Sequence, residues 1–148
     1  MKQARTWLGT KFQHQGRIKK SYNHKGACDC LGFVIGVAKE LNLQDKRGLS
    51  IASLDEDGYS MSPNGEYLRG KLRDHLIEKK IANIQSGDLA LFSFMKNPRH
   101  LAIIGSSEYD TEKYLTLIHA YSGVGEVCEH RLDSKWRKRL VSVFSIIA

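Results

Sequence analysis

The apolar residues of this chain change their period once, and that change restricts the fold more than any other feature. Behind Asp29, a residue type that caps helix N-termini, Phe33, Val34, Val37, Ala38 and Leu41 recur at helical spacing. Leu68, Leu72, His75, Leu76 and Lys79 share one side of a second predicted helix from Gly65 to Lys80, and Lys2 to Gly9 reads as a short helix ending in glycine. From Asp88 onward the period is two. It predicts strands at Leu89 to Met95, Leu101 to Gly105, Tyr114 to Tyr121, Glu126 to Arg131 and Leu140 to Ile147. Helices first and strands second predict an α+β fold, with N-terminal helices packed on one face of an antiparallel sheet of about five strands. Lys11 to Gly26 is polar and basic, and Gln44 to Asn64 is polar with few periodic apolar residues, so both read as loop. At 148 residues, with no linker, repeat or biased tract, the chain reads as one domain, 1–148.

Several function classes are disfavoured by composition. The longest apolar runs, Leu31 to Ala38 and Val141 to Ala148, fall far short of the roughly 18 residues of a membrane span. The start MKQARTWLGT has no apolar h-region, so no signal peptide is expected. Lys and Arg number 23 against 16 Asp and Glu, a formal charge of +7. That balance favours polyanions: nucleic acid, teichoic acid, acidic glycans or anionic lipid headgroups. The excess is diffuse outside Arg17, Lys19, Lys20 and the run Lys135, Arg137, Lys138, Arg139. No RNP motif, zinc finger or helix-turn-helix pattern accompanies it, so no specific nucleic-acid partner is expected. Three cysteines, an odd number, argue against a disulfide framework.

Cys30 directly follows the predicted N-cap, Asp29. A thiol there meets the positive end of the helix dipole and the free N–H groups of the first turn, which favours thiolate and a nucleophilic role. The same N–H groups can hold an oxyanion, and Gly26 and Gly32 on either side allow close approach. A buried core cysteine on the stripe of Phe33, Val34 and Val37 is the plain alternative. Cys28 reads as structural.

A thiolate nucleophile needs a base, and the base an orienting group. His100 opens one predicted strand and His119 lies in the next. Centring the intervening turn, Ser106 to Lys113, between Tyr109 and Asp110 makes paired positions sum to 219 and sets His100 directly opposite His119. Opposed residues have Cβ atoms about 4.5–5.5 Å apart on one face. A one-residue slip would separate them.

These blocks, in order, resemble the NlpC/P60 cysteine peptidases. Trp7-Leu8-Gly9-Thr10, Phe12-Gln13-His14-Gln15-Gly16 and Asp29-Cys30-Leu31-Gly32-Phe33-Val34 resemble the family's opening. Gly87-Asp88-Leu89-Ala90-Leu91-Phe92, Arg99-His100-Leu101-Ala102-Ile103, Ile118-His119-Ala120-Tyr121-Ser122 and Trp136-Arg137-Lys138-Arg139 resemble its later blocks. His14-Gln15-Gly16 and Cys28-Asp29-Cys30 are similar to its phage-associated branch. The resemblance implies a papain-like α+β fold and a Cys-His-His triad, with Cys30 the nucleophile, His100 the base and His119 the orienting residue. It implies hydrolysis of peptidoglycan stem peptides, of the D-glutamate–diaminopimelate type, with no cofactor and no metal. It also implies phage-tail or tail-like partners, and either a cytoplasmic location or delivery to the wall by such a particle. Two positions depart from the pattern. Phe12 stands where many members carry a tyrosine whose hydroxyl serves near the oxyanion, leaving His14 and Tyr22 as alternative groove residues. Leu31 stands where serine is common.

Three other readings compete. Cys28-x-Cys30 and Cys128-x-His130 offer four ligands for a zinc ion, although the one-residue gaps are tighter than usual. The same thiol chemistry serves an amidase or acyltransferase acting on another amide or a lipid. A non-catalytic wall-binding or tail structural protein is the third.

Overall fold

The computed structural model describes residues 1–55, 66–107 and 113–146. Part of the predicted 44–64 loop, the centre of the predicted 106–113 turn and the last residue of the final predicted strand lie outside the described residues. The chain runs α1 (Lys2–Arg5), β1 (Arg17–Ile18), β2 (Ala27–Cys28), α2 (Cys30–Glu40), α3 (Glu66–His75), β3 (Ile77–Lys79), β4 (Leu89–Phe94), β5 (Asn97–Ser106), β6 (Leu115–Tyr121), β7 (Glu126–Arg131), α4 (Ser134–Arg137) and β8 (Leu140–Ser145). Short 3-10 turns lie at Ile51–Leu54 and Ile81–Asn83. The α+β order read from the sequence is therefore observed. The described helices include none long and apolar enough to cross a membrane.

The main sheet has six strands in the order β3-β8-β4-β5-β6-β7, each neighbouring pair antiparallel. The extra strand is β3, which the sequence reading had placed inside the second helix. That helix stops at His75 because the 45–47 segment takes up its end. Lys46 N–H donates to the His75 carbonyl at 2.9 Å and Lys46 Nζ to the Arg73 carbonyl at 2.6 Å. The His75 ring is held by the Asp45 carboxylate at 2.6 Å. The chain then leaves the helix and pairs with the edge of β8, where Ile77 faces Ser145 and Lys79 faces Val143.

Both faces of the sheet are covered, not one. Leu89, Leu91, Leu101, Ile103, Ile118, Ala120 and Phe144 join the α2 residues Leu31, Phe33, Val34 and Val37 in one apolar cluster. Ala90, Phe92, Ala102, Ile104, Leu117 and Val143 point to the other face and pack with Leu132, Trp136 and Leu140. Strands buried on both faces lose clean alternation, as Leu89-Ala90-Leu91-Phe92 shows. The second layer comes from Trp136 on one-turn α4, too short a helix to leave a periodic signal.

The β5–β6 register also differs from the expected one. Ile103 pairs with Ile118 and Ile104 with Leu117, so paired numbers sum to 221. The shift is two residues. A strand's side chains alternate with period two, so His100 and His119 stay on one face and become diagonal neighbours instead of direct partners.

Candidate active site

The start of α2 is built around the Asp29 carboxylate, which is buried. Its Oδ1 accepts from Gly32 N–H at 2.7 Å and from the Arg17 guanidinium at 2.9 Å, and its Oδ2 accepts from Gln15 N–H at 2.9 Å. Arg17 also reaches Asp55 with two hydrogen bonds at 3.0 Å. One acidic residue thus caps the helix as expected and also ties the 15–17 segment to it. The glycines serve this approach. A Cβ on Gly32 would lie 2.2 Å from the Gly16 carbonyl oxygen, so Gly32 admits the chain's own backbone.

Cys30 is the first residue of that helix and is half-buried. Its Sγ donates to the Arg99 carbonyl at 3.7 Å, and the nearby Leu101 and Leu31 backbone N–H groups favour its thiolate form. The sulfur therefore lies against the β5 backbone on both sides of His100. Its own N–H, which has no intrahelical acceptor at this position, stays available. The thiolate expected from the helix terminus is not the resting form. Burial and the neighbouring Asp29 charge push the thiol up to about 11, outweighing the two N–H groups and Arg17. Cys28 is fully buried in β2, is a free thiol, and is pushed up to about 12 by burial and Asp29. It is structural, as expected.

Three histidines form a line on the Trp136 side of the sheet. His100 Nε2 lies 2.6 Å from His119 Nδ1, and His119 Nε2 lies 2.8 Å from His130 Nε2. His130 Nδ1 lies 3.0 Å from the Arg131 carbonyl oxygen. Trp136 packs against all three rings, with centroids 5.1 Å from His119, 5.4 Å from His130 and 5.8 Å from His100. Tyr121 stacks on His119 with an interplanar angle of 10°. Burial first, and then the neighbouring His130, hold His100 down at about 4. Burial, with His100 and His130, holds His119 down at about 2. Both rings are neutral at neutral pH.

This line assigns the tautomers. A carbonyl oxygen only accepts, so His130 carries its proton on Nδ1. In the singly protonated form of His130 its Nε2 is a lone pair, and His119 Nε2–H donates to it. His119 Nδ1 is then a lone pair, and His100 Nε2–H donates to that. The remaining nitrogen of His100, Nδ1, is left with a free lone pair and no hydrogen-bond partner among the described residues. The chain of bonds thus prepares a proton acceptor on His100 and aligns its ring.

The structure brings His100 and His119 together as expected. No hydrogen bond joins Cys30 to His100; the sulfur's donor bond goes to the residue before it. Of the groove candidates, Phe12 packs against the α2-side cluster and forms a backbone bridge with Cys28. His14 is exposed, and Tyr22 is fully exposed with no hydrogen bond among the described residues. The four-ligand zinc arrangement is not assembled. Among the described residues, the metal-ligating side chains that cluster are His119, Cys128 and His130, without Cys28 or Cys30. Sequence reasoning missed His130 as a partner of His119, and Arg17 as a partner of Asp29. The signal for His130 was its place two residues after Cys128 in an alternating strand.

No protein-family model matches the chain, and no curated protein does. Solved structures do. An NlpC/P60 family protein from Bacillus cereus superposes with a TM-score of 0.63 at 14% identity over 98% of this chain, which spans 38% of that protein's length. The NlpC/P60 domain of the peptidoglycan hydrolase SagA gives 0.55 at 16% identity, with 98% of this chain and 94% of that one covered. An N-acetylmuramoyl-L-alanine amidase from Bacteroides uniformis gives 0.53 at 12% identity, covering 97% and 96%. Likeness at these identities concerns architecture, and the architecture of this chain is the α+β, papain-like fold of the NlpC/P60 proteins.

Proposed function

We propose that the protein is a cysteine-type hydrolase of bacterial peptidoglycan that cleaves amide bonds in stem peptides, with Cys30 as nucleophile, His100 as base and His119 as orienting residue. One observation carries the reading. The Cys30 sulfur lies against the β5 backbone that bears His100, and the hydrogen bond from His119 leaves Nδ1 of His100 as a lone pair. The names of the fold neighbours, a peptidoglycan hydrolase and a muramoyl-alanine amidase, support the substrate class.

The steps follow from the resting protonation states. With the thiol at about 11 and His100 at about 4, the proton rests on sulfur. Cys30 turns from the Arg99 carbonyl towards His100, a tightening common when substrate completes a site. The thiol proton passes to His100 Nδ1 as Sγ attacks the carbonyl carbon, and the Cys30 N–H holds the oxyanion. The Nδ1 proton then goes to the leaving amine nitrogen. A water molecule loses a proton to Nδ1 and attacks the thioester; the C–S bond breaks, the acid leaves and the Nδ1 proton returns to Sγ. His119 keeps the ring in place throughout.

The scissile bond of the first choice is D-glutamate–diaminopimelate, on the sequence resemblance. The amidase neighbour favours the lactyl–L-alanine bond as the second. Delivery by a phage tail or tail-like particle is part of the same proposal, and the basic run Lys135, Arg137, Lys138, Arg139 suits retention on anionic wall polymers. Mass spectrometry of purified murein digested by the wild type and by Cys30→Ala tests the reading. New fragments from the wild type alone identify the bond. Equal fragments from both refute the nucleophile, and none from either, with folded protein, refutes the hydrolase.

A further inference from the structure

The mechanism above uses His130 only as the end of a hydrogen-bonded line and does not use Cys128 at all. Both lie on β7, two residues apart and so on one face, and Cys128 is the direct register partner of His119. One donor atom from each of His119, Cys128 and His130 lies within 4.8 Å of the others, and the two imidazole nitrogens are 2.8 Å apart. Tetrahedral zinc, with bonds of about 2.0–2.3 Å, needs donors about 3.3–3.7 Å apart. The cluster is within a small side-chain adjustment of that spacing. Its donors stand on two paired strands, a rigid support for a metal site. Two imidazoles and a thiol are the soft set that takes zinc, cobalt or nickel and leaves magnesium and calcium to oxygen ligands. Three protein ligands leave the fourth position to water.

We infer that His119, Cys128 and His130 form a binding site for a zinc-type divalent cation, and that its occupation switches off the catalytic histidine. The site stands on the geometry alone; the switch rests on the hydrolase reading proposed above. Ligation needs the lone pair of His119 Nε2, so the His119 proton moves to Nδ1. That proton is donated to His100 Nε2, which becomes the acceptor. His100 then carries its own proton on Nδ1, the nitrogen that must receive the thiol proton. The Cys128 thiol proton is released to solvent as the metal–sulfur bond forms. The metal therefore inhibits at a distance, by reversing the hydrogen bonds of a line it joins at the far end.

The full chain is titrated with cobalt(II) and followed by absorption, and murein hydrolysis is measured with zinc and after chelation. The expected result is one equivalent of cobalt with a thiolate-to-cobalt charge-transfer band that persists in Cys30→Ala and disappears in Cys128→Ser. His130→Gln, which removes a different donor, weakens binding about tenfold or more. Zinc lowers wild-type hydrolysis about tenfold or more relative to the chelated protein, and Cys128→Ser, compared with its own chelated rate, resists the same zinc concentration. Absence of the band, or a band that follows Cys30 instead of Cys128, overturns the site. A band with unchanged hydrolysis overturns the switch. Chelated wild type that never cleaves murein refutes the hydrolase reading instead, and the cobalt spectrum still decides the site.

Discussion

Replacing Asp29 separates two consequences of a single carboxylate. Asp29→Ala removes the acceptor of the hydrogen bonds from Gly32, Gln15 and Arg17. Loss of the cap costs about 1 kcal/mol. The part-buried Gln15 N–H, left without its charged acceptor, adds about 2 kcal/mol. Arg17 adds little, because it keeps Asp55 and the Gly16 carbonyl. The sum is about 3 kcal/mol, or a fall in Tm of about 6–12 °C for a chain of this size. Asp29→Asn keeps one oxygen for Gly32 but loses the charge and the acceptor for Gln15 N–H, so about 2 kcal/mol is expected. The chemistry of the thiol moves the other way. Asp29 is the main charge holding the Cys30 thiol up at about 11, so both variants lower that value. Thermal unfolding reads the first effect. The pH dependence of Cys30 alkylation, followed on its own peptide by mass spectrometry, reads the second. Equal losses of Tm for Ala and Asn would refute the capping role. An alkylation midpoint that stays in place or rises in Asn would refute the electrostatic one.

The pH profile of kcat/KM should be broad, because the competent form needs a neutral His100 and a thiol. Activity should fall on the acid side as His100 takes a proton near pH 4, and an acid limb centred near the ordinary histidine value would refute the burial argument. Gly32→Ala should destabilise by about 2 kcal/mol despite alanine's better helix propensity, since the new Cβ meets a backbone oxygen; a rise in Tm would refute it. Burial alone would raise the Asp45 carboxyl, but hydrogen bonds from Leu49, His75 and Arg47 hold it at about 2, below its usual 3.8. Its contribution is present above pH 3.8 and is lost as pH falls towards 2, so acid unfolding of Asp45→Asn should lack part of the wild-type loss in that window. His119→Ala should reduce murein cleavage less than His100→Ala, because it removes alignment and not the proton acceptor. The reverse order in kcat would mean that the two roles are exchanged.

What the sequence made legible follows from the range of the interactions involved. The α2 start was readable because a cap and the residue after it are local. The resting state of Cys30 was not, because its burial and the Arg99 and Leu101 backbone come from a strand about seventy residues away. Edge strand β3 was hidden because its three residues follow the helix without a break and Lys79 keeps the spacing of His75 and Leu76, while the groups that stop that helix belong to the 45–47 segment.

The histidine pair shows why a wrong register still gave a right contact. The turn centre assigned from the sequence was off, and the pairing moved by two residues. An even shift preserves the face, and the diagonal distance of about 7–8 Å between backbones is within reach of two imidazoles. An odd shift would have placed one ring among Ile103 and Ile118, against α2, where a hydrogen-bonding side chain has no partner. The burial of both faces therefore selects the parity of the register more strongly than the turn selects its exact value. That same parity brings Cys128 and His130 to the His119 side. Once His119 was assigned to the Trp136 face, the alternation of β7 was enough to place both residues beside it.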